Sequence, residues 1–258
     1  MAIENNLAIF PSLKGKTVFI TGGGSGIGEA IVGAFAEQGA RVAFVDIARE
    51  ASLALCDRIA AAGHEKPVFR QCDIRDIPAL QAVMRTLAQE LGDFDVLVNN
   101  AGNDDRHRVE DVTPAYWDQR IAINLRPMFF TAQAVLDGMK KRGGGSIINL
   151  GSTSWHMAGG GYPVYTTAKA AVSGLTRGLA RDLGPFNIRV NTVTPGWVMT
   201  ERQITLWLDE EGEKLIDKSQ CLPGRVQPSH VARMILFLAS ADSAMCTAQE
   251  FIVDGGWV

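Results

Sequence analysis

The sequence predicts an α/β fold in which seven parallel strands form one doubly wound sheet with helices on both faces. Short apolar, β-branched runs alternate with longer helical stretches along the chain, which is the pattern of repeated β-α-β units. A glycine-rich turn joins the first strand to the first helix. Small or polar residues follow the strands, at the edge where ligands bind to such sheets.

The predicted strands are short and apolar on both faces, as expected for strands that helices cover on each side. They span residues 16–21, 41–46, 67–72, 94–100, 147–151, 188–193 and 251–253. The predicted helices span residues 29–38, 49–62, 76–91, 114–142, 165–184 and 228–240. Gly39 would end the first helix, and Pro114 lies near the first turn of the longest one. Residues 200–227 carry no strand signal, and we expect them to form a lid-like segment over the site.

The first β-α-β unit has the pattern of a dinucleotide-binding site. Its strand leads directly into Gly22-Gly23-Gly24-Ser25-Gly26-Ile27-Gly28. Glycines permit a tight turn and the close approach of a pyrophosphate, and the N–H groups at the helix start face that anion. Asp46 ends the second strand, where its carboxylate can accept hydrogen bonds from the ribose hydroxyls of NAD. It would repel the 2′-phosphate of NADP by on the order of several kcal/mol, so we predict NAD as the cofactor.

A tyrosine and a lysine lie four residues apart on one predicted helix and therefore share a face. These residues are Tyr165 and Lys169. A tyrosine has an ordinary pKa of about 10. A nearby ammonium would lower the pKa of Tyr165 and suit it to act as a general base. Ser152 follows a buried strand and could hold a substrate oxygen. The same Tyr–Lys spacing also occurs by chance on helix surfaces, so this interpretation depends on the other motifs.

Composition and charge argue against several classes of function. A formal net charge of −3 gives no electrostatic reason to bind nucleic acid or an anionic membrane. The chain shows no apolar stretch long enough to span a membrane and no signal-peptide pattern at its start. The four cysteines and four histidines have no metal-binding spacing, so we expect reduced thiols, a cytoplasmic protein and no metal. Residues 1–14 would form an arm before a single catalytic domain at 15–258.

Taken in order, the motifs resemble those of the short-chain dehydrogenase/reductase family over essentially the whole chain. They are Thr21-Gly22-x-x-x-Gly26-Ile27-Gly28, Asp73, Asn99-Asn100-Ala101-Gly102, Asn124, Ser152, Tyr165-x-x-x-Lys169 and Pro195-Gly196. The resemblance implies a Rossmann fold, a homotetramer and a catalytic tetrad of Asn124, Ser152, Tyr165 and Lys169. Together with the glycine-rich turn and Asp46, it implies a set of cofactor contacts. These are Gly22, Gly24, Ser25, Gly26, Ile27, Gly28, Asp46, Ile47, Asp73, Ile74, Asn100, Ala101, Gly102, Tyr165, Lys169, Pro195, Gly196, Val198 and Thr200.

Further stretches are similar to one group in this family, the NAD-dependent D-xylose 1-dehydrogenases, which oxidise an aldopyranose at C1 to its lactone. They are residues 99–107 and 139–145, Ser154-Trp155-His156 and Gln220-Cys221-Leu222. The resemblance implies a pentose such as D-xylose or L-arabinose, or a related hexose or 6-deoxy sugar. The loop Gly159-Gly160-Gly161-Tyr162 departs from that group's bulkier, acidic loop, which leaves the preferred sugar open.

A sugar-binding cleft needs many hydrogen-bonding groups and a flat apolar surface. The candidate substrate contacts are Asn103, Ser152, Ser154, His156, Tyr165, Trp197 and Gln203. The neighbouring Asp104, Asp105 and Arg106 could instead belong to a solvated loop.

Two other functions remain open. Apolar residues in the lid-like segment would suit a hydroxysteroid or a 3-oxoacyl thioester, the substrates of related dehydrogenases and reductases. They are Ile204, Leu206, Trp207 and Leu208. A non-catalytic NAD-binding sensor on the same fold is an alternative of another class. Such proteins usually lack a member of the tetrad, and this sequence has all four.

Overall fold

The computed structural model describes residues 7–258, and these contain a seven-stranded sheet in the order β3-β2-β1-β4-β5-β6-β7. All neighbouring strands pair in parallel. The strands are β1 (Thr17–Thr21), β2 (Arg41–Asp46), β3 (Val68–Gln71), β4 (Val96–Asn99), β5 (Gly145–Leu150), β6 (Ile188–Pro195) and β7 (Glu250–Val253). This is the predicted doubly wound Rossmann architecture, with the chain order reversing between β1 and β4.

Helices lie on both faces of the sheet. The helices of the described chain are α1 (Gly26–Glu37), α2 (Arg49–Ala61), α3 (Ile77–Leu91), α4 (Pro114–Asn124), α5 (Arg126–Arg142), α6 (Pro163–Leu183), α7 (Glu201–Leu206), α8 (Glu210–Ser219) and α9 (Pro228–Ala239), of which α7 and α8 belong to the lid-like segment. The central strand β1 shows how the core divides. Val18 and Ile20 belong to the apolar layer that includes α1 and α9, and Phe19 belongs to the opposite layer with α3 and α5. Both layers are fully buried, which explains why the strands are apolar on each face.

The prediction of one long helix over residues 114–142 is wrong. The structure has two helices, α4 and α5, which meet at Leu125 with φ −136° and ψ −54°. Pro127 has no N–H to donate, and inside a continuous helix its ring would clash with the preceding turn. The chain therefore breaks and restarts with Pro127 in the first turn of α5. The break leaves Asn124 buried at the end of α4.

The lid-like segment contains two short helices that the strand and helix patterns did not predict. Each begins at a side-chain cap: Thr200 Oγ1 accepts from the N–H of Gln203 at 3.3 Å, and Asp209 Oδ1 accepts from that of Gly212 at 2.8 Å. The segment joins the main body through a parallel bridge between Val198 and Val226. These contacts give the segment an ordered shape next to the strand ends.

Part of the predicted N-terminal arm, residues 1–6, lies outside the described residues. Further along the arm, the Phe10 N–H donates to Gln38 Oε1 at 2.7 Å, and Leu13 is buried. Within residues 7–258, none of the helices has the length and apolarity needed to cross a membrane. The same part of the chain holds no cluster of three or more metal-ligating side chains.

Candidate active site

A cleft of about 1700 Å³ lies along the carboxyl ends of the strands. Its wall includes the residues that follow β1, β4 and β5 and those that end β2 and β6. Pockets for a single small ligand usually have about 300–1,000 Å³, so this cleft can hold a dinucleotide and a second molecule. Of the residues predicted for the site, all but Gly24, Asn124 and His156 line it.

The glycine-rich turn has the geometry that a pyrophosphate requires. Gly22 has φ +68°, and a Cβ there would lie 2.8 Å from the Cα of Ala101. A Cβ on Gly28 would overlap the carbonyl oxygen of Gly22. The side chain of Ser25 does not cap α1, so the N–H groups of the first turn face the cleft without this partner. Such a helix start attracts anions, and the turn fits the phosphates of a dinucleotide.

Asp46 is fixed in position at the end of the cleft next to the glycine-rich turn. Its Oδ2 accepts from the N–H of Gly24 at 2.9 Å, and its Oδ1 accepts from that of Ala48 at 2.8 Å. Gly24 lies behind this carboxylate, since a Cβ there would be 3.0 Å from Asp46 Cγ. Further along the wall, hydrogen bonds from Arg75 lower the pKa of Asp73. The cleft therefore presents an anchored carboxylate where a ribose would lie.

The structure brings Tyr165 and Lys169 together on the cleft side of α6. Lys169 Nζ lies 5.7 Å from the centroid of the Tyr165 ring, and both residues line the cleft with Ser152. Lys169 is only 3% exposed, and its Nζ donates to the carbonyl oxygen of Leu150 at 2.8 Å. The ammonium is thus held between the end of β5 and the tyrosine.

The pKa values of this pair differ from what the spacing alone predicts. Burial raises the pKa of Tyr165 above its ordinary value, and the nearby Ser152 hydroxyl offsets only part of this rise. Burial lowers the pKa of Lys169 to about 8, so its side chain is mostly charged at neutral pH. The expected lowering of the Tyr165 pKa is absent because removing the phenolate from water outweighs the groups that favour it.

Asn124 lies behind the cleft wall and is hydrogen-bonded to the loop after β4. With Ser154, Trp197 and Gln203, this loop forms the part of the cleft for which the sequence predicts substrate contacts, called the substrate end. Asn124 Oδ1 accepts from the N–H of Asn103 at 2.8 Å. Its Nδ2 donates to the carbonyl oxygens of Asn103 at 3.0 Å and of Arg120 at 3.1 Å. Both polar atoms of the amide are therefore engaged in hydrogen bonds to the backbone of Asn103 and Arg120.

The substrate end of the cleft contains buried polar atoms that lack a hydrogen-bond partner. Ser154 Oγ and Trp197 Nε1 have none among the residues that the structure describes, and both side chains line the cleft. Both atoms are covered by neighbouring groups, so as the structure stands they offer no hydrogen bond to a molecule in the cleft. Asn103 and Gln203 also line this end. Gln203 Nε2 donates to Asp104 Oδ2 at 2.7 Å.

The predicted substrate contact of His156 does not fit the structure. Its Nε2 lies 3.0 Å from Glu250 Oε1 on β7, outside the cleft. Its ring centroid lies 3.6 Å from that of Trp155, and Thr194 Oγ1 donates to the same Glu250 oxygen at 2.5 Å. His156 therefore packs against the sheet edge. A short 3₁₀ turn at Thr153–Trp155 rotates the chain so that Ser154 faces the cleft and His156 does not.

Several residues of the substrate end lack a sequence signal. Arg120, only 6% exposed, donates from Nη1 to Asn103 Oδ1 and to Asp105 Oδ2, both at 3.0 Å. Arg202 on α7 pairs with Asp104 at 3.3 Å and with Asp105 at 2.6 Å, and so links the lid-like segment to the loop after β4. Met157 and Trp257 also line the cleft. These contacts depend on tertiary structure, and only the charged run after β4 hinted at them.

The cleft combines a glycine-rich turn and a carboxylate, which suit a dinucleotide, with a serine, a tyrosine and a lysine, which suit proton transfer. This combination defines a nicotinamide-dependent oxidoreductase. The family model described as "Enoyl-(Acyl carrier protein) reductase" matches residues 22–258. The chain belongs to the short-chain dehydrogenase/reductase family.

Known proteins resemble this chain over nearly its whole length. The D-xylose 1-dehydrogenase of Caulobacter vibrioides (strain NA1000 / CB15N) is 55% identical over 250 residues, which cover 97% of this chain and 98% of the relative. The "Probable galactose dehydrogenase GalD" of Rhizobium meliloti (strain 1021) is 49% identical over 247 residues, which cover 96% of each chain. A solved 7 alpha-hydroxysteroid dehydrogenase complexed with NADH and 7-oxo glycochenodeoxycholic acid has a TM-score of 0.91 and 33% identity, with 95% of each chain covered.

Proposed function

We propose that the protein oxidises an aldopyranose at C1 to the aldonolactone, with NAD as the hydride acceptor. The observation that carries this proposal is the meeting of Tyr165, Lys169 and Ser152 in one cleft with the glycine-rich turn and Asp46. The polar residues Asn103, Ser152 and Gln203, which line the cleft, suit a molecule rich in hydroxyl groups. The names of two relatives, at 55% and 49% identity, support a sugar as the substrate.

The chain supplies the groups that hold the sugar and move its proton. In the proposed mechanism Ser152 hydrogen-bonds the anomeric oxygen, and Tyr165 removes the proton of that hydroxyl. When bound, NAD supplies the acceptor for the hydride that leaves C1. The charge of Lys169 favours the phenolate that Tyr165 must form in a buried cleft. Asn124 keeps the loop at the substrate end in place through its bonds to Asn103.

We infer that NAD is preferred over NADP. Two backbone hydrogen bonds hold the Asp46 carboxylate in the cleft, where a 2′-phosphate would meet a like charge. Among the described residues that line the cleft near Asp46, Arg75 carries a basic side chain, and it pairs with Asp73. That pairing leaves it less available to a phosphate. The remaining cofactor contacts predicted from the sequence are part of the same proposal.

We also propose a homotetramer assembled through α5 and α6. Phe129 on α5 is 46% exposed, and its ring centroid lies 5.5 Å from that of Phe130, so this helix offers apolar surface that another copy of the chain could cover.

An activity panel tests the proposed function. Purified protein with NAD⁺ is offered aldopentoses, aldohexoses and 6-deoxyaldohexoses, beside a hydroxysteroid and a 3-hydroxyacyl thioester, and the formation of NADH is followed. We expect turnover with at least one aldose and a lactone as the product. If the protein turns over the steroid or the thioester but none of the aldoses, the cleft would instead be assigned to an apolar substrate. Leu206 and Leu215, which also line it, would suit such a molecule.

A further inference from the structure

The guanidinium of Arg106 lies against two aromatic rings at the substrate end of the cleft. Its Cζ is 4.0 Å from the centroid of the Tyr162 ring and 5.0 Å from that of Trp207. Arg106 belongs to the loop after β4, Tyr162 precedes α6, and Trp207 follows α7. Three segments around the substrate end thus converge on one cation.

The donors of Arg106 are free for a ligand. Among residues 7–258, the carboxylates beside it are bonded to other side chains. Asp104 accepts from Arg202 and Gln203, while Asp105 accepts from Arg120 and Arg202. Arg106 itself has no hydrogen-bond or ion-pair partner in that range, although it lines the cleft. Contacts with aromatic rings orient a guanidinium but satisfy none of its five N–H donors.

This cation lies close to the reacting group. The ring of Tyr162, which Arg106 contacts, lies 5.9 Å from the ring of Tyr165 at an interplanar angle of 70°. The charge of Arg106 acts to lower the pKa of Tyr165, against the larger effect of burial. A sugar held at Tyr165 through its anomeric hydroxyl would therefore reach Arg106 with another part of its ring.

We propose that Arg106 is a specificity-determining residue that binds two adjacent hydroxyl oxygens of the sugar, away from C1. The inference rests on the proposed oxidation of an aldose. A guanidinium offers two parallel N–H donors in a rigid fork, and two neighbouring hydroxyl groups offer paired acceptors. An anionic sugar is disfavoured because Asp104 shares this end of the cleft. The rings of Tyr162 and Trp207 hold the fork in place.

Two substitutions test the proposal, with a matched control. Arg106→Met removes the fork but keeps an unbranched side chain, and Arg106→Lys keeps the charge without the fork. The control is Arg108→Met, two residues further along, because Arg108 is 75% exposed and pairs with Glu110 outside the cleft. For the best aldose of the panel, we expect both Arg106 variants to lower kcat/KM by about 10- to 100-fold. The KM for NAD⁺ should stay near that of the wild type, as should all constants of the control.

Monodeoxy derivatives of the same aldose show whether the contact is direct. Removal of a hydroxyl that Arg106 binds should make the wild type as slow as Arg106→Met, and the substitution should then add no further loss. An equal loss with every derivative would overturn the proposal and leave Arg106 as a support for Trp207 only. An unchanged kcat/KM for the aldose would also overturn it. Failure of the wild type to oxidise any aldose would instead contradict the proposed function, so the two failures are distinguishable.

Discussion

Replacement of Lys169 by methionine should change how the stability of the protein depends on pH. Lys169 is 3% exposed, and burial lowers its pKa from 10.5 to about 8. In the unfolded chain it would hold its proton up to its ordinary pKa. Below pH 8 both states are protonated, so burial of the charge lowers the free energy of unfolding by its full amount. This loss disappears as the pH rises toward 10.5, because the folded protein releases the proton before the unfolded chain does. The difference between the two pKa values corresponds to about 3 kcal/mol at neutral pH.

Lys169→Met removes this penalty but leaves the carbonyl oxygen of Leu150 without its donor, at a cost of about 1–3 kcal/mol. The two effects nearly cancel at neutral pH, so the change with pH is the decisive quantity. We predict that the stability of the variant relative to wild type falls by about 2 kcal/mol between about pH 7 and about pH 9.5. Tyr165 does not titrate in this range because burial raises its pKa.

Urea unfolding at both pH values measures this difference, because all other titrating groups are shared by the two proteins. The same substitution at the exposed Lys218 is the control, and it should give no comparable pH dependence. A difference between Lys169→Met and wild type that stays constant with pH would refute the reasoning. It would mean that the ammonium is as well solvated in the folded protein as in the unfolded chain.

Two further predictions concern the cofactor and the proton. Asp46→Ala should reduce the preference for NAD over NADP by about tenfold or more, because the repulsion of the 2′-phosphate is lost. The ratio of kcat/KM for NAD to kcat/KM for NADP measures this preference. An unchanged ratio would contradict the proposal that Asp46 repels the 2′-phosphate. The kcat/KM for sugar oxidation should rise with pH from about 6 to about 8, since the raised pKa of Tyr165 makes its base form scarce at neutral pH, while Lys169 with its pKa of about 8 still carries most of its charge. A flat profile over this range would argue against Tyr165 as the base.

The fold could be predicted from the sequence because local pattern and burial agree. Strands such as Val18-Phe19-Ile20 are buried on both faces, and their apolar character shows this directly. The break between α4 and α5 could have been predicted from Pro127 alone, since a proline in a helix interior is strongly unfavourable. The caps at Thr200 and Asp209 are likewise local signals for α7 and α8.

The substrate end was less predictable because it depends on contacts between distant segments. Ser154 and His156 lie two residues apart after β5, and only the three-dimensional path of the 3₁₀ turn decides which one faces the cleft. Arg120 and Arg202 reach the loop after β4 from two different helices. Neither contact has a sequence period that would indicate it.

The pKa values of the catalytic pair show a second limit. Sequence spacing places Tyr165 and Lys169 side by side, but it does not show how far both are removed from water. In the structure, desolvation opposes the charged form of each residue, so it raises the pKa of Tyr165 and lowers that of Lys169.

The most direct measurement compares NADH formation from the preferred aldose by the wild type and by Tyr165→Phe, with NAD⁺ binding measured on the same samples. We predict that the variant binds NAD⁺ as the wild type does but loses turnover by about 10²–10⁴-fold or more. Turnover close to that of the wild type would contradict the assignment of proton removal to Tyr165.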